Sequence, residues 1–195
     1  MRFDVENQLC VAQAFTGSAT VSSNSYMKQS ADQDIAIGRR MGLMCIVTTA
    51  AGSGSTHTME VIEAKDRIIM YFEFSNLMRQ IYMDGREHPK DLVPSYMGHS
   101  IGRWEGDTLV VDSIGFLDNA WIDENGSPLS NEAHVTERIR RPNYGTLEIQ
   151  ITVTDPKMYK EPWTVTANQR LMADDELIEF ICGENNTNLP HLVTK

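Results

Sequence analysis

The residues best suited to chemistry lie in the stretch GHSIGRWEGDTLVVDSIGF, at positions 98–116. His99 has the side chain best matched to proton transfer near neutral pH. Asp112 has apolar residues two positions away on either side, which places a carboxylate among apolar neighbours of a predicted strand. His99 is either a general acid or base, or a core histidine bonded to a backbone carbonyl. Asp112 is either half of a buried ion pair with an arginine, or a general base whose best functional partner would be His99.

A second polar strand is predicted in HVTERIRR, at positions 134–141. Its alternation puts His134, Thr136, Arg138 and Arg140 on one face, and Val135, Glu137, Ile139 and Arg141 on the other. If the first face points into the barrel, His134 and the guanidinium of an arginine on that face are placed to hold a carboxylate, enolate or phenolate oxygen of a substrate. An inward second face would make Glu137 the carboxylate of interest. We expect the first face to point inward, because it suits catalysis better.

Further polar and aromatic residues on the predicted strands and loops are candidates for substrate binding. Tyr96 and Trp121 lie in long loops, which makes them candidate lid residues. Packing is the commoner role of an aromatic side chain, Tyr82 included. The catalytic candidates are His99, Asp112 and His134. The substrate-binding candidates are Arg79, Arg103, Arg138, Tyr71, Tyr96 and Trp121, and the three arginines are also the candidate ion-pair partners of Asp112.

Strands bounded by turn signals must position these residues. Most of the connections are of hairpin length, so consecutive strands are expected to pair antiparallel. So many strands in one sheet would expose two edges unless the sheet closed. We therefore predict an all-β fold, an antiparallel up-and-down β-barrel of eight to nine strands. The predicted strands are 58–64, 67–74, 78–83, 99–104, 108–116, 133–141, 146–154, 163–172 and 176–182.

The first 57 residues are weakly patterned and contain small polar runs such as TGSATVSSNS. They predict an irregular or partly helical arm or lid, with residues 25–44 as the place for a helix. Because no linker divides the chain, we predict a single domain over 1–195, with the barrel in 58–195. Residues 67–74 are apolar on both faces, so the arm is expected to cover the outer face of that strand.

The net charge of −10 argues against a nucleic-acid surface or an anionic-membrane surface. No run of about 18 apolar residues occurs, so no membrane-spanning segment is expected. The N-terminus lacks an apolar signal-peptide core, which predicts a cytoplasmic protein as the chain stands, or a periplasmic one if a leader has been removed. The three cysteines, Cys10, Cys45 and Cys182, lack CxxC spacing, so we expect no structural zinc and either reduced thiols or one disulfide.

The motifs DGREHP, GHSIGRWEGDTLVVD, HVTER and DPKMYKEPWTV occur here in this order. Through these motifs, residues 58–192 closely resemble a large family of bacterial proteins. The family is common in soil and marine genomes, and the function of most of its members is unassigned. The resemblance implies a lipocalin-like β-barrel, and many members of the family look exported. It implies no reaction. The first 44 residues look atypical of the family.

The function predicted first is that of a cofactor-independent lyase, isomerase or cyclase, with a small hydrophobic, oxygenated or aromatic substrate in the barrel cavity. His99 would be the acid or base, Asp112 would orient it, and Arg79, Arg138 or His134 would stabilise an oxyanion. The alternatives are a lipocalin-like small-molecule binding protein and a structural module. Hydrolase, P-loop and dinucleotide-binding motifs are absent. A metal site of His99, His134 and Asp112 is geometrically conceivable, but we expect no metal or cofactor; a homodimer is compatible with the sequence.

Overall fold

The computed structural model of this protein describes residues 9–12, 58–73, 76–118, 120–122, 127–172 and 176–179. These residues contain no α-helix and therefore no helix with the length and apolarity to cross a membrane. They form eleven strands: β1 Leu9–Ala12, β2 Met59–Glu63, β3 Arg67–Phe72, β4 Leu77–Tyr82, β5 His99–Glu105, β6 Thr108–Ile114, β7 Ala120–Trp121, β8 Pro128–Leu129, β9 His134–Asn143, β10 Thr146–Thr154 and β11 Trp163–Leu171.

Nine of these strands form a closed barrel in the order β1-β11-β10-β9-β6-β5-β4-β3-β2. The eight barrel strands other than β1 make a curled sheet with β2 and β11 at its edges. Strand β1 closes this sheet by pairing antiparallel with both edge strands. The short strands β7 and β8 pair with each other outside the barrel. Closure matters physically because it satisfies the backbone donors and acceptors that two open edges would expose.

The pairing of β4 with β5 is parallel, whereas the other neighbours in the barrel are antiparallel. A two-residue turn such as the one between β5 and β6 can join only antiparallel neighbours. The connection over residues 83–98 is longer and turns the chain back so that β5 begins beside the last residues of β4, with Ser100 opposite Ile81. The parallel pair also allows closure, since strict alternation of strand direction around a ring requires an even number of strands. We refer to residues 83–98 as the crossing loop.

Alternation along each strand separates an apolar inner face from a more polar outer face. On β10, Leu147, Ile149, Ile151 and Val153 are all buried, while the residues between them are partly or fully exposed. The inner faces of the other strands add aliphatic and aromatic side chains, including Met59, Ile68, Phe72, Ile81, Leu109, Val111 and Ile139. Burial of this apolar surface is the main favourable term for the fold.

The all-β barrel prediction is confirmed, with three differences in detail. Strand β1 lies in the region predicted to be an arm outside the barrel. The up-and-down order is broken by the parallel β4–β5 pair. Residues 176–179 are not in a strand. The helix expected in residues 25–44 and two of the cysteines lie outside the described residues, and a lipocalin-like barrel in particular stays a prediction.

Candidate functional site

The inner face of β9 carries Val135, Glu137 and Ile139, all buried. The opposite face carries His134, which is exposed. The expectation that His134 and Arg138 point into the barrel is therefore wrong. Val135 and Ile139 are the apolar residues of this strand, and their burial turns the strand so that its histidine and most of its arginines meet solvent.

Glu137 is accommodated inside the barrel by Arg79, which is also buried. The Arg79 guanidinium donates Nη1–H to Glu137 Oε1 at 3.0 Å, and its other terminal nitrogen donates to Glu137 Oε2. It also donates to the hydroxyls of Ser100 and Ser113, each at 3.1 Å. We call these four residues the interior ion-pair cluster. Arg79 therefore pairs with Glu137 and not with Asp112.

The outer face of β5, β6 and β9 carries the three predicted catalytic residues. In the strand register Asp112 lies opposite Ile101 on one side and Thr136 on the other. His99 and His134 are each two residues from those partners, so both lie diagonally from Asp112 on the same face. Side chains at diagonal positions are within reach of one another when they are long or aromatic. The hairpin and its neighbour thus gather two histidines around one carboxylate.

A third histidine, His88, comes from the crossing loop. The loop is fixed to the barrel wall by backbone hydrogen bonds from Ser95 N to Gly115 O at 3.0 Å and from Leu117 N to Ser95 O at 2.9 Å. Leu92 packs over Gly115 so closely that a Cβ at that glycine would lie 2.0 Å from Leu92 Cδ2. These contacts hold the loop, and with it His88, over the outer face of β5 and β6.

His88 lies between His99 and Asp112 and contacts both. Its Nδ1 is 2.8 Å from Nδ1 of His99, and its Nε2 is 3.2 Å from Oδ2 of Asp112. The other carboxylate oxygen, Oδ1, is hydrogen-bonded to Nε2 of His134. The result is a continuous path from His99 through His88 and Asp112 to His134. We call these four residues the outer histidine cluster.

Exposure rises from His88 through Asp112 to His134 along the outer histidine cluster. The His88 side chain is 13% exposed, Asp112 26% and His134 48%. One end of the path is therefore half-sheltered by the crossing loop, and the other end meets solvent. A proton taken up at His99 would pass to groups that are increasingly accessible to water, from His88 to His134.

The sheltered end of the path packs against aromatic and cationic groups. The Tyr82 ring stacks on His99, with centroids 5.2 Å apart and ring planes at 22°. The Arg86 guanidinium lies over Tyr82 at 4.0 Å from the ring centroid. Burial lowers the pKa of His99, and the positive charge of Arg86 lowers it further. His99 is accordingly held in its neutral form, the form that can act as a base near neutral pH.

In the described part of the chain, no group of three or more histidine, cysteine or acidic side chains is arranged to hold a metal ion. The geometry of the outer histidine cluster gives the physical reason. His88 directs its two nitrogens to different neighbours, so the nitrogens and the carboxylate do not converge on a common point.

The other predicted binding residues are dispersed. Arg103 and Arg138 both donate to Glu105 on the outer face, at 2.7 and 3.0 Å. They lie opposite Val110 on its two neighbouring strands, and Val110 is 2% exposed despite its outward position. Tyr71 donates to Asn76 Oδ1 at 3.0 Å. Half-buried Tyr96 packs on the core, and half-buried Trp121 lies in β7.

Sequence reasoning missed His88, although it lies within the quoted motif DGREHP. A histidine next to a proline in a long loop between two strands was the available signal. Its importance depends on contacts 11 and 24 residues away in sequence, which the residue pattern did not reveal. Comparisons with protein-family models, curated proteins and solved structures found no match to the chain. The family resemblance seen in the motifs therefore stays a prediction.

Proposed function

We propose that this protein is a cofactor-independent lyase, isomerase or cyclase that acts by acid–base chemistry on a small hydrophobic, oxygenated molecule. The observation that carries the proposal is the hydrogen-bonded path His99–His88–Asp112–His134. A neutral histidine linked to a carboxylate is an effective base because the carboxylate stabilises the positive charge that the histidine gains.

The site of the proposed reaction is the outer wall of the barrel beneath the crossing loop, and not the barrel cavity. His99, Asp112 and His134 lie on the outer face of their strands, whereas the inner faces of the same strands carry the buried apolar core. The crossing loop would provide the partial exclusion of water that acid–base chemistry benefits from.

In the proposed reaction, His99 Nε2 removes a proton from a carbon next to a carbonyl group of the substrate. The electron pair of that C–H bond moves into the carbonyl, which becomes an enolate. In an isomerisation, imidazolium His99 returns the proton to another carbon of a conjugated enolate, and the carbonyl re-forms. In an elimination, the enolate re-forms its carbonyl, a C=C bond forms, the bond to the β leaving group breaks with its electron pair, and imidazolium His99 protonates that group. Arg86 binds Asp84 through Nε and Nη2. Its Nη1 would stabilise the enolate oxygen, in place of the Arg79 and Arg138 expected from the sequence.

A second candidate function, small-molecule binding inside the barrel, is favoured by one observation. Gln169 faces the interior of the barrel and is 3% exposed, yet its Oε1 has no hydrogen-bond partner among the residues that the structure describes. A buried polar atom without a partner often marks the position of a water or a ligand. A ligand with a hydroxyl or amide donor would satisfy this oxygen.

Thermal-shift screening against phenolic, terpenoid and polycyclic compounds identifies a ligand, and NMR chemical-shift mapping then locates it. The enzyme proposal predicts perturbation of His99 and Tyr82, together with product formation that is lost in His99→Gln. Arg140→Gln is the matched control, because Arg140 is exposed on the same outer face and pairs with Glu148. Perturbation confined to Gln169 and its neighbours, without turnover, would favour the binding protein instead.

A further inference from the structure

We infer that His88 is a positioning residue that fixes the tautomer of His99, with the proton on Nδ1 and the lone pair of Nε2 free to act as the base. This inference deepens the proposed function and rests on it for its catalytic meaning. It concerns a residue that contacts His99 and Asp112 through different ring nitrogens.

The assignment follows from counting protons along the path. An ionised carboxylate can only accept hydrogen bonds, so the Nε2 atom of His88 that faces Asp112 must carry a proton. Neutral His88 has one N–H, so its Nδ1 is an acceptor. The contact of 2.8 Å between the two Nδ1 atoms then requires His99 to donate from Nδ1. Neutral His99 likewise has one N–H, which leaves its Nε2 unprotonated.

The surroundings of His99 agree with this assignment. Among the described residues, His99 makes no other side-chain hydrogen bond than the one to His88. Tyr82 stacks on the face of the ring, where it restricts rotation without binding either nitrogen. Burial lowers the pKa of His99, and the charge of Arg86 lowers it further, which favours the neutral ring. A free lone pair on Nε2 is the state that a general base requires.

The attachment of the crossing loop explains how His88 reaches this position. His88 directly precedes Pro89, and the residue before a proline is restricted to extended backbone. Further along the loop, Ser95 is hydrogen-bonded to the backbone beyond β6. The His88 ring meets the His99 ring nearly edge-on, with planes at 71° and centroids 5.0 Å apart. This geometry suits a hydrogen bond in the plane of both rings.

Long-range ¹H–¹⁵N NMR of histidine-labelled protein tests the inference, because it reports which nitrogen of each imidazole is protonated. The chain has five histidines, and single His→Gln variants assign their signals. We expect wild-type His99 to be in the Nδ1–H form. An Nε2–H form of His99 in the wild-type protein would overturn the inference without reference to any variant.

Variants of His88 provide the second arm of the test. In His88→Phe, His99 loses its acceptor, and the Nδ1–H form is expected to fall from the dominant to the minor species. His88→Gln keeps an amide oxygen to accept and an N–H to donate, and is expected to retain the Nδ1–H form. His134→Gln, which removes the other partner of Asp112, should leave the His99 tautomer unchanged. An unchanged tautomer in His88→Phe would contradict the positioning role.

The NMR result is independent of turnover, so the two proposals fail separately. Loss of the Nδ1–H form in His88→Phe, in a protein that converts none of its ligands, would support the positioning role and contradict the enzyme. With a substrate in hand, the positioning role predicts a fall in kcat for His88→Phe at nearly constant KM, with partial recovery in His88→Gln. An unchanged kcat in His88→Phe would contradict it.

Discussion

Strands β5, β6 and β9 each contribute one residue to each of two polar clusters of opposite character, one on either face; Arg79 of β4 completes the interior cluster and His88 of the crossing loop completes the outer one. In the interior ion-pair cluster, the two charges neutralise each other and the arginine is further bound by two hydroxyls. In the outer histidine cluster, one carboxylate is shared by two imidazoles, and a third imidazole extends the path. The interior cluster is closed, whereas the outer one has free ends.

The comparison shows why burial alone does not identify a chemical site. Arg79 and Glu137 are more deeply buried than any member of the outer histidine cluster, but their groups bind each other and have no capacity left for a substrate. His99 is less buried and retains a nitrogen for chemistry. We therefore assign stability to the interior cluster and proton transfer to the outer one, and the predictions below separate the two.

The largest effect on stability is expected from breaking the interior pair. Arg79→Met leaves Glu137 buried without its counter-ion and should lower the free energy of unfolding by about 3–5 kcal/mol. The double variant Arg79→Met/Glu137→Leu removes both charges and should recover most of that loss. Urea denaturation measures both values. A loss below about 1 kcal/mol in the single variant would show that the pair is not a buried, mutually dependent unit.

The converse variant is Asp112→Asn, in the outer cluster. It removes the negative charge that stabilises imidazolium His99 through His88, so turnover should fall by about 10²-fold. Stability should change by no more than about 1 kcal/mol, because Asp112 is partly exposed. Steady-state kinetics and urea denaturation of the same preparation check the two expectations. A large loss of stability with normal turnover would reverse the roles assigned to the clusters.

A backbone variant tests the dependence of the outer cluster on the crossing loop. Gly98 has a φ of +65°, and an added Cβ would lie 2.6 Å from the Ile114 carbonyl oxygen. Gly98→Ala should therefore cost about 2 kcal/mol and displace the loop that carries His88. Gly85→Ala is the control, since its φ is also positive but nothing lies within 4 Å of the added Cβ. Equal losses in both variants would show that the close approach at Gly98 is unimportant.

The sequence was sufficient to predict the strands and the barrel, because alternation on β10 and the short turn between β5 and β6 are local signals. It also identified His99, Asp112 and His134, which share a face through the strand register. It did not reveal which face of β9 is inside, because both faces carry charged residues. Burial of Val135 and Ile139 favours the inner face that the structure shows, but Glu137 can lie on that face only because Arg79, 58 residues before it, binds its carboxylate. The contacts of His88 and the place of β1 in the barrel likewise depend on residues far away in sequence.

The smallest effect concerns pH. The pKa of His99 is lowered in the folded protein from its ordinary value of 6.5. Below that value the unfolded chain binds more protons at this site, so His99 should reduce stability as the pH falls from 6.5 through its folded pKa. In His99→Gln this contribution is absent, and the stability curve should be flatter over the same interval. A steeper curve for the variant would mean that folding raises the pKa of His99.

The most direct test of the central claim is the kcat/KM of wild-type, His99→Gln and Arg140→Gln proteins on a ligand that the screen shows to be converted. If His99 is the base, its replacement lowers kcat/KM by about 10²–10⁴-fold, while the Arg140 control and the unfolding midpoint stay near wild type. Turnover by His99→Gln at the wild-type rate would contradict the assignment of the outer histidine cluster as the active site.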